Sequence, residues 1–89
     1  MKLLQDLAQI PAGTTIIGFD PNRSSIMMST IDLFSTKGIT TFWCSPESDF
    51  LCGMFKVRQC PTVLVLKDNK EIFRRTGAIS YSELQEIIQ

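Results

Sequence analysis

The sequence predicts an α/β fold, in which one mixed β-sheet lies between two layers of helices. Apolar runs and amphipathic segments alternate through the first part of the chain, which indicates strands joined by right-handed helical crossovers. Two later apolar runs have only Lys67-Asp68-Asn69-Lys70 between them, and this spacing indicates a hairpin and therefore an antiparallel pair. The predicted order is helix, strand, helix, strand, helix, strand, strand, helix, which gives a four-stranded sheet.

The first three predicted elements are a helix, a strand and a second helix. Apolar residues recur at helical spacing over residues 1–10, and the helix predicted there ends before Pro11. The β-branched and apolar run 14–19 is typical of a buried strand. A second, short helix follows, and either Ser24 or Ser25 could be its N-cap.

The remaining elements are a strand, a short helix, the hairpin and a last helix. A strand is predicted over residues 39–44 and a helix over residues 46–56. The hairpin strands cover residues 62–66 and 71–76. The last helix begins with Ser80-Tyr81-Ser82-Glu83, a capping-box sequence, and is the best specified element of the chain.

Length and composition indicate one small domain. The chain has 89 residues, 44% of them hydrophobic, which suffices for a single modest core over residues 1–89. Nine basic and nine acidic residues cancel, so a nucleic acid partner is not expected. Polar residues interrupt the apolar residues of the N-terminal segment, which is typical neither of a signal peptide nor of a membrane span. We therefore expect a cytoplasmic location and no membrane association.

The chain contains three cysteines and no histidine. Cys44, Cys52 and Cys60 cannot all pair within the chain, which favours free thiols in a reducing compartment. Without histidine the chain lacks the commonest metal ligand, and three scattered cysteines make a poor zinc site. Neither a metal nor another cofactor is expected.

The second half of the chain resembles the thioredoxin superfamily. The match runs without a gap from Phe55-Lys56-Val57-Arg58-Gln59-Cys60-Pro61-Thr62 through the hairpin to Thr76-Gly77-Ala78 and the last helix. In that superfamily a short helix leads to a cis-proline, and a hairpin, a glycine turn and a C-terminal helix follow. The resemblance implies a thioredoxin-like three-layer sandwich with the four-stranded core typical of glutaredoxin-like folds.

The resemblance also implies a site for a protein or peptide partner. In such proteins the cis-proline loop, with the residue before the proline, and the glycine turn form a flat apolar surface that holds an extended peptide or a partner's disulfide. By position that surface consists here of Cys60, Pro61, Gly77 and Ala78, with Ser45 beside it. A cis bond before Pro61 is expected, because only an X-Pro bond adopts the cis form at low cost.

The residues that carry redox chemistry in that superfamily are missing. No Cys-x-x-Cys motif opens the second helix, and Ser24 stands at the position of the nucleophilic cysteine. Gly18 replaces the acid that is usually buried on the central strand. The strand 39–44 is further expected to be a sheet edge, through which the chain could associate with another copy of itself.

Two functions follow as alternatives. In the first, the domain has no dithiol activity and binds another protein through the cis-proline and glycine-turn surface. In the second, Cys60 is the nucleophile of an atypical monothiol oxidoreductase, with Cys52 or Cys44 as the resolving thiol. A small apolar role for Cys60 beside the proline fits the same sequence, and Ser24 and Ser25 fit either an anion site or an ordinary helix cap.

Overall fold

The structure is a computed structural model that describes all residues from 1 to 89. It contains five strands, three α-helices and two 3₁₀ turns. The strands are β1 (Lys2–Leu3), β2 (Thr14–Phe19), β3 (Thr40–Cys44), β4 (Thr62–Lys67) and β5 (Lys70–Thr76). The helices are α1 (Ile26–Asp32), α2 (Asp49–Phe55) and α3 (Tyr81–Ile88), and the 3₁₀ turns cover Leu7–Gln9 and Leu33–Lys37.

The strands form one mixed sheet in the order β1-β3-β2-β4-β5. Strand β3 pairs in parallel with β1 and β2, whereas β4 pairs antiparallel with β2 and β5. The predicted mixed sheet and its terminal hairpin are therefore confirmed. The prediction of four strands is wrong, because β1 adds a fifth.

The fifth strand lies where the sequence predicted a first helix. Lys2 and Leu3 pair with β3, and the backbone N–H of Leu4 donates a further hydrogen bond of 2.7 Å to the carbonyl of Trp43. Only a three-residue 3₁₀ turn follows, which Asp6 and Gln9 close as a capping box. Leu4 and Ile10 of this segment are still buried in the core. They reach it from an extended chain, whose backbone groups pair with β3.

Strand β3 is not the sheet edge that the sequence suggested. It lies between β1 and β2, and the two edge strands are β1 and β5. Because β1 is only two residues long, it covers Phe42 and Trp43 and leaves the start of β3 uncovered. Self-association through residues 39–44 stays a prediction, and only the beginning of that strand could take part in it.

Each face of the sheet carries its own apolar core. The core on the side of α2 and the Leu7–Gln9 turn consists of Leu4, Ile10, Ile17, Phe19, Phe42, Cys44, Leu51, Val57, Leu64 and Leu66. The core on the side of α1 and α3 consists of Ile16, Met27, Met28, Ile31, Phe34, Val63, Val65, Ile79 and Leu84. The arrangement is a three-layer sandwich, in which every strand of the sheet centre is buried from both sides.

The last helix has the cap that its sequence predicts. The Ser80 hydroxyl accepts a hydrogen bond from the Glu83 backbone, and the Glu83 side chain accepts one from the Ser80 backbone. Leu84 is fully buried against the sheet, which fixes α3 over β4 and β2. Arg75 on β5 donates a hydrogen bond of 2.6 Å to Glu83, so the cap is also tied to the sheet.

Candidate functional site

The strand register brings four loops together at one end of the sheet, which we call the loop end. Phe19 lies opposite Cys44 on one side and Thr62 on the other, and Thr62 lies opposite Thr76. The chain leaves the sheet after Phe19, Cys44 and Thr76, and enters it at Thr62. The loops that contain Ser24, Ser45, Pro61 and Gly77 are therefore neighbours, as the resemblance implies.

The proline loop and the glycine turn are in direct contact. The peptide bond between Cys60 and Pro61 is cis, as expected from the sequence. The carbonyl of Pro61 accepts a hydrogen bond of 2.8 Å from the N–H of Gly77. Gly77 has a φ of 102°, a left-handed conformation that favours glycine, so this turn needs glycine in order to reach the proline loop. We call Cys60, Pro61, Gly77 and Ala78 the ligand patch.

The backbone of Cys60 is free to pair with another chain. Neither its N–H nor its C=O takes part in a hydrogen bond within the protein, and its side chain is exposed. Its neighbours are fixed, because the Thr62 hydroxyl donates a hydrogen bond of 2.6 Å to the carbonyl of Gln59. A fixed backbone with one open donor and one open acceptor is the arrangement that an extended peptide pairs with when it adds a strand.

All three cysteines are free thiols with raised pKa values. Burial first, and then the neighbouring Cys52 and Cys60, raise the pKa of Cys44 to about 12. The pKa of Cys52 is raised by burial and by Asp49. The pKa of Cys60, whose side chain is exposed, is raised by partial desolvation, by Cys52 and by Asp20. The three sulfurs thus lie within electrostatic reach of one another, and each is mainly the protonated, weakly nucleophilic thiol at neutral pH.

The loop between β2 and α1 is closed by its own hydrogen bonds. The carboxylate of Asp20 accepts one from the Asn22 backbone at 2.9 Å and one from the Ser25 hydroxyl at 2.7 Å. The Ser25 hydroxyl in turn accepts the Met28 N–H, so Ser25 is the N-cap of α1. The Ser24 side chain is exposed and has no hydrogen-bond partner in the protein. Of the two serines that the sequence offered as the N-cap, Ser25 provides it, and an anion site at Ser24 stays a prediction.

Apolar side chains fill the space beside Gly18. A Cβ atom on Gly18 would lie 2.7 Å from Cδ1 of Ile31 and closer still to Sδ of Met28. These two side chains therefore occupy the volume that a carboxylate at this position would need. The only buried charged side chain of the protein is instead Asp20, 7% exposed, two residues further along the chain.

Ser45 lies at the loop end but is engaged within its own loop. Its hydroxyl accepts a hydrogen bond of 3.2 Å from the Glu47 backbone, and its carbonyl accepts one from Ser48. The residue is half-buried, and its predicted place beside the ligand patch stays a prediction.

Two residues of the loop end were not among the predicted site residues. The sequence predicts Asp20 only as part of a turn. The signal that could have identified it is the serine N-cap that follows, because an aspartate nearby can accept a hydrogen bond from the serine hydroxyl. Ile26, the first residue of α1, is 87% exposed. The sequence could have indicated this exposure, because Ile26 does not lie on the helical face that Met27, Ile31 and Phe34 share.

The other side chains near this loop hold it in place. The indole N–H of Trp43 donates a hydrogen bond of 2.7 Å to the carbonyl of Asp20. Arg23 lies over the Trp43 ring at 5.4 Å and donates a hydrogen bond to the carbonyl of Met1. Trp43 is half-buried and packs against the core on the α1 side of the sheet. The loop is therefore tied to both β1 and β3.

No cluster of acidic, cysteine or histidine side chains in the protein could hold a metal ion. Its longest helix has eight residues, and none of its helices combines the length and apolar character that crossing a bilayer requires.

Comparisons with known proteins agree on the fold. No protein-family model matches the chain, and a search of the curated proteins gives no match. Among solved structures, a mutant thioredoxin of Halobacterium salinarum superposes with a TM-score of 0.77 at 12% identity, over 86% of this chain and 73% of that one. A Malassezia sympodialis thioredoxin gives 0.75 at 16% identity, over 98% and 86% of the two chains. Thioredoxin 1 of Thermosipho africanus gives 0.70 at 24% identity, over 83% and 89%. The fold is therefore thioredoxin-like.

Proposed function

We propose that this thioredoxin-like domain binds an extended segment of another protein at the ligand patch and performs no disulfide chemistry. The free N–H and C=O of Cys60 carry the proposal, because they offer one backbone pairing position on an exposed surface. The contact between Pro61 and Gly77 supports it, since it holds this position still before a partner arrives. Three free thiols fit a reducing compartment such as the cytoplasm.

The composition of the α1 start argues against dithiol chemistry. Thiol–disulfide exchange needs a thiolate, which a helix N-terminus stabilises. Here Ser24 and Ser25 stand at that end, and neither hydroxyl can exchange with a disulfide. Ser25 is also occupied by its bonds to Asp20 and Met28.

A monothiol oxidoreductase is the second candidate, and the exposed thiol of Cys60 favours it. In that reaction the Cys60 thiolate would attack a partner disulfide, a mixed disulfide would form, and one partner thiolate would leave. The thiolate of Cys52, which lies within electrostatic reach, or that of Cys44 would then attack the sulfur of Cys60, so that a disulfide forms within this chain and the second partner thiolate leaves. The raised pKa of both thiols opposes this reaction, because few thiolates are present at neutral pH.

Binding is tested with random linear peptides that contain no cysteine, displayed on phage and selected against the immobilised protein. The most enriched peptide is then synthesised with a fluorescent label, and its affinity is measured by anisotropy. Ala78→Glu places a charge in the ligand patch and should weaken binding at least about tenfold. Ala12→Glu is the matched control, because Ala12 is also an exposed alanine but lies at the opposite end of the sheet, next to Gly13, whose N–H donates a hydrogen bond to Asp68. Equal affinity of both variants would contradict the proposal.

Thiol–disulfide oxidoreductase activity is tested by the reduction of insulin disulfides, with dithiothreitol as the electron donor. We expect no acceleration over the uncatalysed reaction. Turnover that disappears in Cys60→Ser would instead establish the second candidate.

A further inference from the structure

We propose that the outer face of α2 pairs with the same face of a second copy of this chain, so that the protein forms a weak dimer with twofold symmetry. This face consists of Asp49, Phe50, Gly53 and Met54, which are all exposed. The inference goes beyond the proposed function, because no residue of the ligand patch takes part. It starts from Phe50 and Met54, which are 64% and 53% exposed on a short helix.

Phe50 and Met54 form one apolar area. They are four residues apart on α2, a spacing that places Cβ atoms about 5–6 Å from each other. Of the five large apolar residues that the protein exposes, these are the only two that lie one helical turn apart. The opposite side of α2 packs into the core through the buried Leu51 and the half-buried Phe55. The inner face therefore holds the helix on the sheet, and the outer face is left uncovered.

Unpaired charges flank this apolar area, acidic at one end and basic at the other. Glu47 and Asp49 lie at the start of α2, whereas Lys56 and Arg58 follow its end. All four residues are exposed, and none of them forms an ion pair within the protein. A partner that covers the apolar area has to match this order of charges.

A second copy in antiparallel orientation matches the order. In such a pair Phe50 of one copy lies opposite Met54 of the other, and the twofold axis creates this contact twice. The same orientation places Asp49 of one copy opposite Lys56 of the other, because both pairs have nearly the same midpoint along the chain. A parallel orientation would instead bring like charges together. Charge complementarity thus favours a second copy, and in one orientation only.

Three further features fit a second copy. Glu47 and Arg58 lie just outside the helix and, in the antiparallel orientation, add an opposite-charge pair at each end. Gly53 lies next to the shared midpoint, and no atom lies within 4 Å of the position that a Cβ would take there, so two backbones can approach closely. Nine basic and nine acidic residues cancel, so two copies do not repel each other as whole molecules.

Dimerisation is measured by sedimentation equilibrium of the full chain between about 10 µM and 1 mM. Helix α2 has seven residues and is about 10 Å long, so the interface is small and we expect a dissociation constant on the order of 0.1 mM. Met54→Ser should raise it at least about tenfold, because the lost contact occurs twice in the dimer. Leu33→Ser is the matched control, since Leu33 has nearly the same exposure, 54%, but lies at the end of α1 on the other side of the sheet. It should leave the dissociation constant unchanged.

Two charge reversals test the orientation. Asp49→Lys alone places like charges opposite each other at both ends of the interface, and Lys56→Asp alone does the same. Each variant should therefore be monomeric at the concentrations used, with a circular dichroism spectrum like that of the wild type. An equimolar mixture of the two variants should associate again, because every contact between them then joins a lysine to an aspartate.

Each of the following results would overturn the inference. The first is a wild-type protein that stays monomeric up to about 1 mM. The second is association that persists unchanged in Met54→Ser, because the dimer would then use another surface, such as the start of β3. The third is a mixture of the two charge variants that stays monomeric, since the charges of α2 would then not face each other across the interface.

Discussion

The hydroxyl of Ser25 donates a hydrogen bond of 2.7 Å to the carboxylate of Asp20. The same hydroxyl accepts the N–H of Met28, so one serine closes both the loop and the start of α1. In the thioredoxin superfamily this stretch holds the reactive cysteines. Here it is an internally bonded loop, and the open backbone positions lie beside it at Cys60.

The first prediction concerns this cap. Ser25→Ala should lower the free energy of unfolding by about 1–2 kcal/mol, because it leaves the Met28 N–H and the Asp20 carboxylate each short of one partner. Ser24→Ala, one residue away, should change it by less than about 0.5 kcal/mol, since the Ser24 side chain has no partner. Urea unfolding of both variants measures the difference. Equal losses would show that Ser25 is not the cap.

The second prediction concerns the reactivity of Cys60. The negative charge of Asp20 is one cause of the raised pKa of this thiol, after partial desolvation and Cys52. Asp20→Asn removes that charge, so the pKa should fall part of the way towards its ordinary value and the thiolate fraction at neutral pH should rise. Alkylation of Cys60 by iodoacetamide, followed by peptide mass mapping over a range of pH, should become faster.

Glu86→Gln is the control for this measurement, because it also removes one carboxylate, but from the exposed side of α3. It should leave the alkylation rate of Cys60 unchanged. If Asp20→Asn and Glu86→Gln alkylate at the same rate, the carboxylate of Asp20 does not act on Cys60.

The third prediction compares two glycines. Gly18→Ala should lower the free energy of unfolding by about 1–3 kcal/mol, because the added Cβ overlaps Met28 and Ile31 in a packed core. Gly53→Ala should raise it by about 0.5–1 kcal/mol, since Gly53 lies inside α2 with nothing near its Cβ position. Chemical denaturation gives both values. A Gly18→Ala protein as stable as the wild type would mean that the contact with Met28 is loose.

The fourth prediction is a pH dependence. Hydrogen bonds from Arg75 and Ser80 hold the pKa of Glu83 below its ordinary value. A carboxyl with a lowered pKa in the folded state stabilises the fold above its unfolded pKa, and this contribution is lost as the pH falls through the folded pKa. Arg75→Gln should therefore be less stable than the wild type at neutral pH, and the two midpoints of unfolding should converge as the pH falls towards about 2. A difference that is independent of pH would show that Arg75 acts through packing alone.

Local sequence signals predicted the elements whose stabilising contacts are themselves local. The hairpin is set by a four-residue connection, and α3 by Ser80 and Glu83, three residues apart. Strand β1 could not be found in this way. Two residues carry no periodicity, and their partners Phe42 and Trp43 lie about forty positions away, so an amphipathic helix explained the same apolar spacing.

The residues of the candidate site also differ in whether local sequence could predict them. Cys60, Pro61, Gly77 and Ala78 were predicted because a contiguous motif carries them, and the bond between Pro61 and Gly77 brings them together. Asp20 and Ile26 were not predicted. They are distinguished by the burial of one carboxylate and the exposure of one isoleucine, and burial follows from the tertiary structure rather than from residue type.

The contact of Gly18 with Met28 and Ile31 also bears on how this chain could change in evolution. An acid at position 18 has no room until Met28 and Ile31 have become smaller, and smaller residues there would leave a cavity until the acid arrives. Either order of substitution therefore passes through a less stable protein. Together with the two serines at the start of α1, this means that a buried acid and a pair of cysteines could be introduced into this chain only by several coupled substitutions.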